Sequence, residues 1–104
     1  MAKTSIQKAT PELLKEYKVD SWQSWDCGPS EFPWEYSTDE ICYVKKGKVI
    51  VIEENGEKVE INAGEIVIFP KGLKCTWKVI ERIEKVYNFI LPRNSFPPFE
   101  KNNK

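Results

Sequence analysis

Apolar residues along this chain come in short runs set off by turn formers. Ile41-Cys42-Tyr43-Val44, Val49-Ile50-Val51-Ile52 and Ile66-Val67-Ile68-Phe69 are the most continuous of these. Runs of this length, rich in β-branched and aromatic residues, predict strands, because a helix needs about ten residues or more with a 3.6-residue period. The predicted strands cover residues 31–36, 41–45, 48–54, 59–61, 66–69, 76–80 and 86–91, and the strand-like texture begins at Trp22, for about eight in all. Breaks are expected at residues 37–39 and at Gly47. Asn55-Gly56 predicts a type I′ hairpin turn, since that pair tolerates positive φ at both central positions. Pro70 and Gly72 predict a tight turn that delivers the chain from residues 66–69 into a strand beginning near Cys75.

One helix interrupts this pattern. Thr10-Pro11-Glu12 offers an N-cap, a proline at the first helical position and an acid in the first turn, so residues 11–17 are expected to be helical. A small all-β chain must protect its sheet edges, and a closed or double-sheet jelly roll is the usual solution. Residues 1–91 are expected to form a single domain. A tail follows at residues 92–104, in which Phe96 and Phe99 could tack onto the barrel and the polar end is expected to be disordered.

Composition narrows the function classes. The 104 residues carry 16 basic and 16 acidic side chains and no histidine. Balanced charge disfavours a polyanion such as nucleic acid, and the lack of histidine removes the commonest metal ligand and acid-base group. Cys27, Cys42 and Cys75 are odd in number and widely spaced, which fits reduced thiols in the cytoplasm better than a disulfide framework. No apolar run approaches the roughly 20 residues needed to span a bilayer as a helix, so no membrane partner is expected.

Two spacings carry a resemblance. Gly28, Trp34, Tyr36, Glu40 and Gly47 fall on one series of positions, and Gly64, Pro70, Gly72, Cys75 and Val79 on another. Together they resemble the two signature motifs of the cupin superfamily, with every histidine replaced. Trp34/Tyr36, Glu40/Cys42/Tyr43 and Pro70/Gly72/Cys75/Trp77 look like the small branch that includes the cupin domains of ureidoglycine aminohydrolase and the ethanolamine-utilisation cupin. That branch often carries Lys-His-Tyr in its last strand, where this chain has Lys85-Val86-Tyr87. The resemblance implies an all-β, double-stranded β-helix with one short N-terminal helix. It also implies a barrel interior lined by Trp34, Tyr36, Glu40, Cys42, Cys75 and Trp77.

The chemistry of those positions leaves several readings open. Trp34 cannot coordinate a metal, whereas Glu40, Cys75 and Cys42 are the donors that would hold one, zinc before manganese because thiolates are soft. With no imidazole, no bound metal is the favoured expectation. Glu40 in an aromatic-walled interior loses hydration, a condition suited to general acid-base work; a structural carboxylate hydrogen-bonded to a tyrosine or to backbone amides is the alternative. Cys75 lacks an activating base for nucleophilic chemistry. Trp22 and Trp25 are expected to close an end of the core, and Lys71, Lys74 and Lys78 to form a solvated face. Three functions remain. The first is an enzyme acting on a small nitrogen-bearing or sugar-like metabolite through Glu40, the second a metal-free small-molecule-binding module, and the third a homo-oligomer without catalysis. The expected partners are a small molecule and a second copy of the chain in a homodimer.

Overall fold

A computed structural model describes residues 4–89. The predicted tail, residues 92–104, and the end of the predicted last strand lie outside the described residues. β1 (Ser5–Lys8) leads into α1 (Pro11–Glu16) and a 3-10 turn (Val19–Ser21). β2 (Gln23–Cys27), β3 (Ser30–Glu35), β4 (Glu40–Glu53), β5 (Lys58–Asn62), β6 (Glu65–Phe69) and β7 (Lys74–Phe89) follow. Thr10 caps α1 as expected, accepting the Leu13 amide at 3.2 Å, with Pro11 in the first turn. No membrane-crossing helix is present among the described residues: none is long and apolar enough.

Two long strands organise everything else. β4 and β7 pair antiparallel along their whole length, from Glu40↔Phe89 to Glu53↔Cys75. At one end they are flanked by β6, β1 and β2; at the other, β5 pairs with β4 and β3 with β7. Each long strand therefore passes from one layer of the barrel to the other. The expected break at Gly47 is instead an irregularity inside β4, where the register with β7 shifts between Val44 and Val49. An inserted residue there changes which alternate positions face inward. Cys42 and Val44 point into the core before it, and Val49 and Val51 after it. The predicted strands at 76–80 and 86–91 likewise belong to one strand, β7, so the described residues hold seven strands.

The β4–β5 hairpin keeps the predicted pairing, Val49↔Ile61 through Ile52↔Lys58, but not the predicted turn. Gly56 has φ 92°, while Asn55 is not among the positive-φ residues. The Gly56 amide donates to Glu53 O at 2.8 Å and the Glu53 amide to Glu57 O at 2.8 Å. This is a three-residue loop, a type I turn closed by a left-handed glycine. The Asn55 side chain supports it, its Oδ1 accepting the Glu57 amide at 2.9 Å.

Both faces of the layer that β1, β6 and β2 form with the paired ends of β4 and β7 are covered, which explains why β4 and β6 read there as unbroken apolar runs. Inward, Cys42, Val67 and Phe69 join Val49, Val51, Trp77 and Ile83 in the main core. Outward, Ile41, Ile66 and Val86 pack with Tyr17, Val19 and Trp22, and Leu13 and Leu14 of α1 lie over them. No residue of α1 is itself buried, so the helix serves as a cover for the sheet.

Candidate functional site

The inward faces of β3, β4 and β7 meet at one end of the barrel around a cavity of about 260 Å³. Strand alternation determines who lines it. Phe32, Trp34 and Tyr36 share a face at β3 and its exit, Glu40 opens β4, and Trp77, Lys85 and Tyr87 are same-phase positions of β7. Trp25 of β2 completes the wall, with Phe89, Glu35, Ser37 and Thr38 toward the mouth. The lip is pinned to the predicted Pro70–Gly72 turn. Tyr36 exchanges backbone hydrogen bonds with Gly72 and Leu73 at 2.8 and 3.0 Å, and Asp39 Oδ1 accepts the Lys71 amide at 2.7 Å.

The expected interior residues separate into groups. Tyr36 and Trp77 are buried and bonded, Trp77 Nε1 donating to Tyr36 Oη at 3.1 Å, and the Tyr36 ring stacks on Phe69 at 4.6 Å. Trp34 lies edge-on to Tyr36 but is 52% exposed, so it stands at the mouth and not inside the barrel. Cys42 and Cys75 are buried but do not line the cavity. Cys42 packs in the apolar core, and Cys75 Sγ faces the Trp34 carbonyl at 3.7 Å. Trp22 belongs to the outer cluster, whereas Trp25 is a cavity wall. Lys71, Lys74 and Lys78 are exposed, as expected.

Among the described residues the Glu40 carboxylate makes neither the tyrosine nor the amide contact expected of a structural carboxylate. Its Oε2 accepts a hydrogen bond from Lys85 Nζ at 3.2 Å, and both side chains are more than nine-tenths buried. The ammonium also sits over the rings of Trp77, Trp25 and Tyr87, at 4.6, 5.2 and 5.6 Å from their centroids. The ammonium is thus held between a carboxylate and three aromatic faces. Lys85 is thus a central member of the site that sequence reasoning missed. The signal was its phase: it lies an even number of positions from Trp77 and Cys75, on the same face of one continuous strand.

Burial raises the acids around the site. Tyr36 is pushed well above the ordinary tyrosine range, first by desolvation and then by the nearby Glu40 carboxylate. Cys42 and Cys75 are each pushed up to about 11, again chiefly by desolvation, with Glu53 adding to the effect at Cys75. Both thiols therefore keep their protons at neutral pH. A proton held more tightly in the folded chain stabilises it fully below the unfolded thiol value of 9.0, and that contribution is lost as pH rises toward about 11. The urea midpoint is expected to be level from pH 7 to 8.5 and to fall between pH 9 and 11, less steeply in Cys42→Ala. A midpoint that stays level to pH 11 contradicts this account.

This donor set does not fit the transition metal that histidine-rich cupins hold. Glu40 is engaged by an ammonium, Cys42 packs in the apolar core, Cys75 Sγ faces the Trp34 carbonyl and does not line the cavity, and Trp34 has no lone pair to offer. Among the described residues no group of three His, Cys, Asp or Glu side chains converges to hold an ion.

Comparison with known proteins gives the same architecture. Residues 14–87 match the model of the EutQ-like cupin domain. A DUF861-family protein of Thermotoga maritima is 49% identical, with TM-score 0.82 over 84% of this chain and 99% of that one. The EutQ protein of Clostridium difficile is 24% identical, with TM-score 0.57 over 83% of this chain and 66% of that one. An oxalate decarboxylase variant of Bacillus subtilis is 18% identical, with TM-score 0.51 over 85% of this chain but 25% of that one, a likeness of fold alone. No protein with a curated description matches. The family match over most of the chain, the near-complete overlap with the Thermotoga maritima protein and the aromatic-lined barrel agree: this chain belongs to the EutQ-like cupin family.

Proposed function

We propose that this chain is a small-molecule-binding cupin that works without a resident metal. One observation carries the reading: a buried ion pair, Glu40–Lys85, lines an aromatic-walled cavity that opens to solvent. Charges taken out of water are costly unless paired, and a purely structural interior is more readily filled with apolar side chains. Here the charges border an opening, with Trp25, Phe32 and Trp77 as flat apolar walls. Ligand pockets are commonly built this way, from an apolar lining and a few convergent polar groups. The cavity suits a metabolite of modest size.

The same groups support a catalytic reading. Glu40, Lys85 and the Tyr36 hydroxyl are proton-bearing or proton-accepting groups beside one cavity, so a bound substrate would meet an acid and a base. Turnover in a metabolite screen, abolished in Glu40→Gln that still binds, would select this reading over binding alone.

Binding itself is tested by thermal shift and tryptophan fluorescence with a small-metabolite library. We expect at least one compound class to raise Tm and alter the emission. Both effects should vanish in Ser37→Trp, which places a large ring at the exposed lip of the cavity and leaves the unliganded Tm within a few degrees, as surface changes usually do. An equal response in Ser37→Trp, or no response to any compound, counts against a pocket.

A further inference from the structure

We propose that the ligand of this cavity is a small organic acid with a flat or apolar body, its carboxylate held between the Lys85 ammonium and the Tyr36 hydroxyl. The inference rests on the pocket reading above and adds the chemical class of the occupant.

An ammonium has three N–H donors, and among the described residues the single hydrogen bond of the Lys85 side chain is the one to Glu40 Oε2. Its other close neighbours are the faces of Trp77, Trp25 and Tyr87, which attract the charge but offer no lone pair. Lys85 is 7% exposed, so bulk water reaches it poorly. Tyr36 is in a similar state. Its oxygen accepts the Trp77 indole proton at 3.1 Å, and no acceptor for its own proton occurs among the described residues. Both groups border the same indole, Tyr36 Oη at its Nε1 and Lys85 Nζ over its ring. Beside Trp77 the cavity thus has spare donors on two side chains and, as nearby acceptor, the second oxygen of Glu40, while the Glu35 carboxylate and the Ser37 and Thr38 hydroxyls line it farther out.

An acceptor-rich group satisfies this arrangement, and a donor-rich one does not. A carboxylate brings two oxygens and a charge that pairs with Lys85, making charge-assisted hydrogen bonds, which are the stronger kind. An amine would add donors where donors are already in surplus and place a like charge beside the ammonium. A neutral amide presents one carbonyl and no charge. The flat walls of Trp25, Phe32 and Trp77 then take the body of the acid. Glu40 holds the Lys85 ammonium in place, and so acts as a positioning residue for the anion.

Three probes of one shape separate the possibilities: benzoate, benzamide and benzylamine, each titrated calorimetrically and followed by ligand-detected NMR. Benzoate is expected to bind at least roughly tenfold more tightly than the other two, the difference made by one charge-assisted hydrogen bond. Tyr36→Phe should weaken benzoate roughly tenfold and leave benzamide less affected. Lys85→Arg, which keeps the cation, should retain most of the benzoate affinity. The doubly apolar Glu40→Leu/Lys85→Met variant, which keeps a filled interior, should lose the preference for benzoate. If benzamide or benzylamine binds in a way that Ser37→Trp abolishes and benzoate does not, the pocket stands and the organic-acid assignment falls. If none of the three binds, the organic-acid assignment falls, and the pocket falls with it when the metabolite library also gives no response.

Discussion

Lys85→Met is expected to lower the stability of the folded chain by about 3–5 kcal/mol, whereas the double variant Glu40→Leu/Lys85→Met should recover most of that loss. The reason lies in the surroundings of the pair. Glu40 and Lys85 are 3.2 Å apart with side chains 8% and 7% exposed, so removing either leaves a charge with little water to replace its partner. Attraction between the two largely offsets their desolvation, which is why removing both together is far milder than removing one. For a domain of this size, with a total stability of about 5–15 kcal/mol, the single change takes a large share and lowers Tm by on the order of 20 °C. Urea unfolding of the two single variants and the double variant forms a thermodynamic cycle, from which the coupling is read directly. A double variant as unstable as the sum of the singles would mean that the two side chains do not act as a pair. The cycle also bears on function, since the Lys85 charge is the anchor of the proposed anion.

The second large effect is expected at Gly47. Gly47→Ala should cost at least about 3 kcal/mol, and Gly56→Ala only about 1 kcal/mol. Both glycines have positive φ, 97° and 92°, so the backbone penalty of adding a Cβ is alike. Their surroundings differ. A Cβ at Gly47 would meet the backbone of β7, overlapping the Arg82 carbonyl and lying 2.7 Å from Ile83 Cα, while one at Gly56 meets nothing within 4 Å. Backbone cannot move aside as a flexible side chain does. The extra loss at Gly47 therefore measures how closely β4 and β7 approach where the register shifts, and equal losses at the two sites would remove that explanation. Because the shift sets which residues of β4 face inward, Gly47→Ala should also disturb the cavity. Any ligand found for the wild type should bind more weakly to it.

Much of this was legible in local pattern. The apolar runs at 41–44, 49–52 and 66–69 are all in strands, and Thr10-Pro11 opens the helix. The spacing of Gly64, Pro70, Gly72 and Cys75 marked the family and the turn that holds Tyr36. Such features depend on residues a few positions apart, and φ preference, capping and alternation act over that range. Reading β7 as two strands, 76–80 and 86–91, hid Lys85, because it left this lysine in the gap between them, where it resembles the exposed Lys74 and Lys78. Taken as one strand, Cys75, Trp77, Val79, Ile83, Lys85 and Tyr87 share a single inward phase.

The chain's own residue order thus specified the strand-rich class, the helix start and the presence of an acid at Glu40. The fate of that acid was decided at long range. Its partner lies 45 residues away along the chain, and the two meet because β4 and β7 pair over their full length. The same pairing turned the expected break at Gly47 into an irregularity, while Trp34, on β3, stands at the mouth and Cys42 and Cys75 went into packing. Periodicity says which residues share a face. Which face closes on a cavity, and which charge waits there, follows from how distant strands pack to exclude water, and no short stretch of sequence contains that information.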